Sequence, residues 1–283
     1  LMSAQQEIVV LENATLIHGD AFYILQDLER WTGVSKVDAL ITDPPYAITN
    51  CHWDKKIDWS RFWELADKTT VELAKMVLFS CGKFQYELFN TNPTWFRYDI
   101  IWKKTKKCGF VNARFMPLRQ HETIIVFNLP GAATTGTYNP QRTFDGKSFG
   151  RSMSPCTRGQ VYSVKTKQQY KYKHSGYMNP TSILEFASDK KTATHETQKP
   201  VPLLRNLVLT YSNENEIVLD PFMGSGTTGI ACIETHRRFI GIESDKAIFD
   251  DARKRIESAE VKASFLEPQR NRKEQEKRLF EHA

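Results

Sequence analysis

The tetrapeptide Asp43-Pro44-Pro45-Tyr46 carries the sharpest chemical signal in this sequence. It follows the apolar run Ala39-Leu40-Ile41 and Thr42. Consecutive prolines end an extended strand and stiffen the turn beyond it, because each fixes its own φ and restrains its predecessor. The Asp43 carboxylate and the Pro44 carbonyl are then held in a fixed relation, as two acceptors for one exocyclic NH2 group. Tyr46 adds a flat face on which a base can stack. A rigid proline turn capped by Asp is the purely structural alternative.

A second element runs from Asp220 through Pro221, Phe222, Met223, Gly224, Ser225, Gly226, Thr227 and Thr228 to Gly229. It reads as a strand end, a glycine-rich turn and a helix start. The glycines let backbone approach a ligand closely, and Glu243 stands 19 residues beyond Gly224, where an acid binds ribose hydroxyls. A tight turn capped by Thr227 or Thr228 is the plain alternative. The pattern does not separate a nicotinamide from another adenosine cofactor.

These residues need strands to position them. Short apolar runs at Thr15–His18, Val37–Thr42, Lys75–Ser80, Ile217–Leu219 and Phe239–Ile242 read as strands. Helical patterns fall at Ala21–Glu29, Trp59–Ala74, Pro202–Tyr211, Thr228–Glu234 and Ser244–Glu260. Such alternation predicts an α/β protein with a mostly parallel sheet. Tyr98–Trp102 and Glu122–Phe127 are close enough to form an antiparallel pair. Asp20, Asp43, Asp220 and Glu243 each follow or end an apolar run, which puts several acids on the carboxyl edge of the sheet, where open α/β sheets bind ligands.

Composition narrows the class. The chain has 283 residues, 40% of them hydrophobic and 25% charged. That is a globular balance, neither disordered nor collagenous. No apolar run approaches the roughly 18 residues of a membrane span, and the first residues lack a secretory signal pattern. Five cysteines, Cys51, Cys81, Cys108, Cys156 and Cys232, form no Cys-x-x-Cys pair, and the histidines show no His-Glu-x-x-His spacing. No metal is expected, and the thiols fit a reducing cytoplasm.

Charge is unevenly placed. The whole chain carries +6, whereas residues 130–195 alone carry ten Lys and Arg against three Asp and Glu, a net +7. Arg142, Arg151, Arg158, Lys165, Lys167, Lys171 and Lys173 are interleaved there with Tyr138, Tyr162, Tyr170, Tyr172 and Tyr177. A nucleic-acid-contacting loop has this composition, and so does a solvated basic loop. Gln269–Arg278 is dense in charge of both signs and reads as an exposed helix.

Taken together, the motifs resemble the beta class of S-adenosylmethionine-dependent amino-methyltransferases of DNA, in which the Asp-Pro-Pro-Tyr motif precedes the glycine-rich one. His195-Glu196-Thr197-Gln198-Lys199-Pro200 resembles the element that precedes the cofactor strand there, with Glu196 where that class has Pro, and Ile17-His18-Gly19-Asp20 resembles its adenine-contacting strand end. The resemblance implies a Rossmann-like, doubly wound sheet in a catalytic domain of residues 1–129 and 196–260. It also implies a target-recognition insert at 130–195 and leaves a charged tail at 261–283.

The same resemblance gives the acids roles. Glu243 would bind the ribose hydroxyls of S-adenosyl-L-methionine, Asp20 its adenine amine with Ala21 alongside, and Lys199 its carboxylate. Asp220, Phe222, Gly224, Ser225, Gly226 and Thr227 would line the methionine and ribose side. Asp43 would sit near the sulfonium and amino group, and Asp43, Pro44, Pro45 and Tyr46 would act on the flipped base. Adenine N6 is favoured over cytosine N4, because the class associates Asp at the first motif position with adenine. The partners implied are double-stranded DNA, a second copy in relatives that dimerise and, in some, a cognate restriction endonuclease. A nucleoid-associated cytoplasmic protein of bacterial or phage type follows.

Three alternatives explain less. RNA and protein methylases usually carry Asn where this chain has Asp43. A nicotinamide dehydrogenase accounts for the glycine turn and Glu243 but leaves Asp43-Pro44-Pro45-Tyr46 unexplained. A non-catalytic DNA-binding subunit would not need every motif intact. Ser154-Pro155-Cys156 holds the Pro-Cys pair of cytosine-C5 enzymes, but without an apolar strand before it.

Overall fold

A computed structural model describes residues 6–47, 54–129, 136–152, 171–187 and 198–281. The strands are β1 (Glu7–Val10), β2 (Ala14–His18), β3 (Val37–Thr42), β4 (Thr70–Ser80), β5 (Phe96–Cys108), β6 (Arg119–Phe127), β7 (Thr143–Ser152), β8 (Lys171–Met178), β9 (Ile183–Phe186), β10 (Ile217–Asp220) and β11 (Arg238–Glu243). The helices are α1 (Ala21–Leu25), α2 (Leu28–Thr32), α3 (Trp59–Thr69), α4 (Lys83–Thr91), α5 (Val201–Tyr211), α6 (Thr227–Glu234) and α7 (Lys246–Glu281).

Among the described residues, nine strands form one sheet in the order β1-β2-β11-β10-β3-β4-β6-β5-β9. From β2 to β4 all neighbours are parallel; β6 is antiparallel to both β4 and β5, and β9 returns parallel to β5. The central strands are covered on both faces, as parallel strands require. In β4, Val77 and Phe79 pack with α5, α6 and α7 through Leu203, Val208, Ala231 and Phe249. Met76 and Leu78, one residue out of phase, pack with Ile24, Leu28, Phe62, Trp63 and Leu88 of α1 to α4. The period of two along a strand thus builds two cores at once.

From β10 the chain winds through α6 to β11, and from β3 through α3 to β4 on the other side. The strand order therefore reverses between β10 and β3, the switch point at which doubly wound sheets hold ligands.

Three local expectations needed revision. The helix expected at Trp59–Ala74 ends at Thr69, and β4 begins at once with Thr70. The run Thr69-Thr70-Val71 is β-branched and prefers extended backbone, and the Thr69 and Thr70 hydroxyls donate back to the Leu65 and Ala66 carbonyls. The Ala21–Glu29 helix is broken into α1 and α2 at Gln26-Asp27. The last helix is capped by Asp245, which accepts from the Ala247 and Ile248 amides at 2.9 and 3.0 Å, and as backbone it continues through the charged stretch to Glu281.

Residues Pro140–Thr181 form a second compact unit. Its strands β7 and β8 pair antiparallel from Thr143↔Met178 to Ser152↔Lys171. Strand β9, although it comes from the basic stretch, belongs to the large sheet, where the Trp102 indole donates to the Phe186 carbonyl at 3.1 Å.

Candidate active site

The four acids read from the sequence lie on one edge. Strands β2, β11, β10 and β3 are neighbours pointing the same way, with Glu243 level with His18 and Asp220 level with Gly241. The Gly19 amide donates to the Glu243 carbonyl at 2.9 Å, and the Met223 amide to Ile242 at 2.9 Å, which ties the turns to the strand ends.

Asp220 is the floor of this edge. Its carboxylate is enclosed, accepting from the Thr42 hydroxyl at 2.6 Å, the Thr228 hydroxyl at 2.7 Å and the Phe222 amide at 3.2 Å. Burial pushes its pKa up to about 7, against the pull of those hydrogen bonds. Thr42 immediately precedes Asp43, so this one carboxylate fastens the proline turn to the glycine turn. Both its oxygens are engaged by the protein.

Glu243 is the opposite case of a carboxylate held by backbone. It accepts from Gly224 N at 3.1 Å and from Asp245 N at 2.8 Å. The Ser244 amide is a further donor to it, and a carboxylate with about four acceptor sites still has capacity for a ligand hydroxyl. Burial raises its pKa despite the amide donors. Gly224 has φ +49°, and a Cβ built on it would meet nothing within 4 Å. There is thus open space at Gly224, whose amide pins the Glu243 carboxylate. Gly226 is different: at φ +74°, its Cβ would come within 2.8 Å of Ile256, so there the glycine serves packing against α7.

The other expected cofactor residues have these surroundings. Asp20 is exposed and caps α1, accepting from Tyr23 N at 2.9 Å. Ala21 points into the core beside Ile24. Phe222 stacks on Phe62 at 6.3 Å. Ser225 and Thr227 lie within 3.3 Å of each other, and Arg255 donates to the Ser225 carbonyl.

The proline turn holds the denser cluster. The Tyr46 hydroxyl donates to Asp43 Oδ1 at 2.6 Å, and its ring stacks on Phe84 at 4.6 Å. Lys199 Nζ donates to Asp43 Oδ2 at 2.5 Å and lies 3.3 Å from Glu122 Oε2. Lys104 pairs with the same Glu122. Burial works against the Lys199 charge, but Asp43 and Glu122 outweigh it and raise its pKa. Burial likewise opposes ionisation of Glu122, and Lys199 with Lys104 outweighs it and holds the carboxyl below its ordinary value. Burial and the Asp43 charge raise the Tyr46 phenol, which stays a donor.

Sequence reasoning set Lys199 apart for a cofactor carboxylate; the structure sets it on Asp43. It missed Glu122, Thr42 and Phe84, and it took Lys104 with Lys103, Lys106 and Lys107 as a second candidate DNA surface, not as a partner of Glu122. For Glu122 a signal existed: along β6 it falls in phase with Ile124 and Val126, both buried, so its charge was due on a covered face.

Several expected residues lie outside the described ones: His195, Glu196 and Thr197, the lysines Lys165 and Lys167, Arg158, and Ser154, Pro155 and Cys156. Arg151 lies on β7, Lys171 and Lys173 on β8. Arg142 donates to the Asn179 side chain at 2.9 Å within the second unit. Among the described residues no group of His, Cys, Asp and Glu is placed to hold a metal ion, and no helix is long and apolar enough to cross a membrane.

Residues 37–254 match the family model of the N6/N4 DNA methylases, and the chain belongs to that family. It is 27% identical over 274 residues to the type II methyltransferase M2.LlaDCHI of Lactococcus lactis subsp. cremoris, covering 87% of this chain and 90% of that protein. It is 27% identical to M.HpaI of Haemophilus parainfluenzae over 264 residues, 86% of this chain and 74% of the other. Among solved structures, the M1.HpyAVI–SAM complex superposes with a TM-score of 0.56 at 28% identity, over 86% of this chain and 99% of that one. The cytosine-N4-specific PvuII DNA methyltransferase shares the fold, with a TM-score of 0.61 at 14% identity over 90% and 93% of the two chains. The chain is thus a DNA amino-methyltransferase, and the family's methyl donor is S-adenosylmethionine.

Proposed function

We propose that this chain methylates the N6 amine of adenine in double-stranded DNA. The observation that carries the reading is the Asp43 carboxylate, held by Tyr46 and Lys199 at the switch point, on the same sheet edge as Gly224 and Glu243. Bound there, S-adenosylmethionine supplies an electrophilic methyl group on a sulfonium.

The chain's own residues do the rest. Glu243 accepts from the ribose hydroxyls, and Asp20 from the adenine amine of the donor. Asp43 and the Pro44 carbonyl accept the two hydrogens of the target amine, which turns its lone pair out of ring conjugation. Pro45 stiffens that turn, and Tyr46 presents its ring to the flipped base. With the donor held there, Asp43 and the Pro44 carbonyl would aim the amine lone pair at its methyl group, and the surplus amine proton would pass to solvent. Lys199 neutralises Asp43 from behind, so the acceptor keeps one orientation. Holding two reactants in line supplies on the order of 7–11 kcal/mol of the barrier.

The basic residues Arg142, Arg151, Arg158, Lys165, Lys167, Lys171 and Lys173 take the phosphates of the duplex in this reading, with residues 130–195 as the recognition region. The Asp at position 43 supports adenine over cytosine, through the family's association of that residue with the base. Expression in a methylation-free host tests it: genomic DNA digested to nucleosides should contain N6-methyladenine by mass spectrometry, and an Asp43→Ala host should not. N4-methylcytosine in its place would sink the adenine assignment.

A further inference from the structure

The loop joining β5 to β6 has no task in the site so far. The two strands pair antiparallel up to Cys108↔Arg119, leaving residues 109–118 beyond the last rung. Because β4 and β5 both run antiparallel to β6, the end of β5 lies on the same sheet edge as the ends of β4 and β3. The loop therefore rises from the catalytic edge. At its base the Arg119 guanidinium lies so close to Gly82, just past β4, that a Cβ there would meet it at 3.3 Å.

Residues 105–117 are all exposed. Four of them are large and apolar: Phe110 is 68% exposed, Val111 94%, Phe115 85% and Met116 56%. Single exposed apolar side chains need no explanation, but a contiguous group marks an interaction surface. The loop holds its own shape: Asn112 and Ala113 amides donate to Gly109 and Phe110 carbonyls at 3.0 and 3.2 Å, and Phe115 and Met116 amides to Asn112 at 2.9 and 3.1 Å. A short 3-10 turn thus displays the side chains outward.

Its charge has one sign. From Lys103 to His121 there are six Lys and Arg and no Asp or Glu. Lys103 is paired with Glu185 and Lys104 with Glu122. Among the described residues, Lys106, Lys107 and Arg114 have no carboxylate partner.

We propose that this loop is a DNA-opening element, in which Lys106, Lys107 and Arg114 grip phosphates and Phe110, Val111, Phe115 and Met116 press into the base stack beside the extruded nucleotide. The inference rests on the DNA methylase reading. A base inside a duplex cannot reach Asp43, so it must leave the stack, and apolar side chains inserted at a base step are a means of unstacking it. Unneutralised cations beside an apolar tip, on the rim of a site that takes a base, are complementary to that partner.

Two variants of the full chain test it, Lys106→Ala/Lys107→Ala/Arg114→Ala and Phe110→Ser/Phe115→Ser/Met116→Ser. Both should bind S-adenosylmethionine as the wild type does, by calorimetry. The charge variant should flatten the salt dependence of binding to unmethylated plasmid DNA by about 2.7 in log–log slope, at about 0.9 per phosphate contact. The apolar variant should lose at least about tenfold in kcat/KM for that DNA, the small end of a wedge contribution. In a third protein, p-benzoylphenylalanine at Val111, irradiated with the same plasmid, should give DNA adducts. Wild-type salt slope and kcat/KM in both variants, or adducts only to a second copy of the chain, would overturn the proposal. Failure of the wild type itself to label DNA while binding the donor would instead overturn the methylase reading, and this proposal with it.

Discussion

Lys199 Nζ lies 2.5 Å from Asp43 Oδ2 and 3.3 Å from Glu122 Oε2, so the residue beside the proposed methyl acceptor is part of a buried charge network and not a lone acid. The Lys199 side chain is 11% exposed and Glu122 13%. A charge so enclosed is stable only if paired, and removing one partner leaves the other uncompensated. Lys104 completes the chain Lys104–Glu122–Lys199–Asp43, which runs from β5 across β6 to the proline turn.

Lys199→Met should lower kcat by roughly 10- to 150-fold, the equivalent of about 1.5–3 kcal/mol for a hydrogen bond to a charged group. It should also move the acidic limb of the pH–rate profile upward. In the wild type Lys199 and Lys104 outweigh burial and hold Glu122 below its ordinary value. Without Lys199 the carboxyl protonates at higher pH, and the network is lost sooner as pH falls. Lys199→Arg should restore part of the rate and most of the profile. A Met variant with a wild-type pH profile would detach Lys199 from the network.

Tyr46 serves two ends at once, which alters what its variants should do. A stacking platform needs only a ring, so Phe alone would be silent. Here the hydroxyl donates to Asp43 at 2.6 Å while the ring lies on Phe84. Tyr46→Phe should cost roughly tenfold in kcat by loss of one charge-assisted hydrogen bond. Tyr46→Ala should cost more, since base–aromatic stacking adds roughly 1–3 kcal/mol. Initial rates with tritiated donor decide this; equal rates for wild type and Phe would remove the hydroxyl from the mechanism.

The edge of acids was legible in the sequence because each ends an apolar run, and a buried parallel strand declares itself by continuous Val, Ile and Leu. The antiparallel pairing of Tyr98–Trp102 with Glu122–Phe127 was legible for the same reason. The network was not. Glu122 and Lys199 are 77 residues apart and meet only through the sheet order. Helix α4 escaped notice because only Phe84 and Leu88 are buried along it, too few for a clear period. Strand β9 is short and half-exposed, and it is defined by its partner β5 more than by its own residues.

Gly224→Ala should separate cofactor binding from folding. The new methyl meets no protein atom, so the fold suffers only the cost of φ +49° in a non-glycine residue, about 1–2 kcal/mol. The methyl does occupy the space beside Glu243. Calorimetric affinity for S-adenosylmethionine should fall at least tenfold, about 1.4 kcal/mol, while the thermal midpoint drops by only a few degrees. Gly241→Ala is the contrast: its Cβ would come within 2.5 Å of Met223 Sδ and 2.6 Å of Phe239. Overpacking of that kind costs roughly 1–3 kcal/mol or more, so its main effect should be on the midpoint. Unchanged donor affinity in Gly224→Ala would place the ribose elsewhere.

Asp220→Asn should make the protein more stable at neutral pH and above, relative to wild type. The folded carboxyl has its pKa raised to about 7, whereas an unfolded aspartyl titrates near 3.9. Between those values the unfolded chain has released a proton that the folded chain still holds. Stability linked to this group is therefore fully present below about pH 3.9, falls as pH rises through the window, and is flat above about pH 7. The slope is at most about 1.4 kcal/mol per pH unit. Asparagine mimics the protonated form: its carbonyl can accept from Thr42 and the Phe222 amide, and its NH2 can donate to the Thr228 hydroxyl. The variant should thus lack this one titration while keeping all others, so the difference between the two proteins isolates it. Urea midpoints for both, taken from pH 4.5 to 8.5, should diverge in favour of the variant as pH rises and then run parallel. A constant difference across that range would mean that Asp220 is ionised in the folded protein throughout, and that Thr42 and Thr228 hold a carboxylate at the floor of the site.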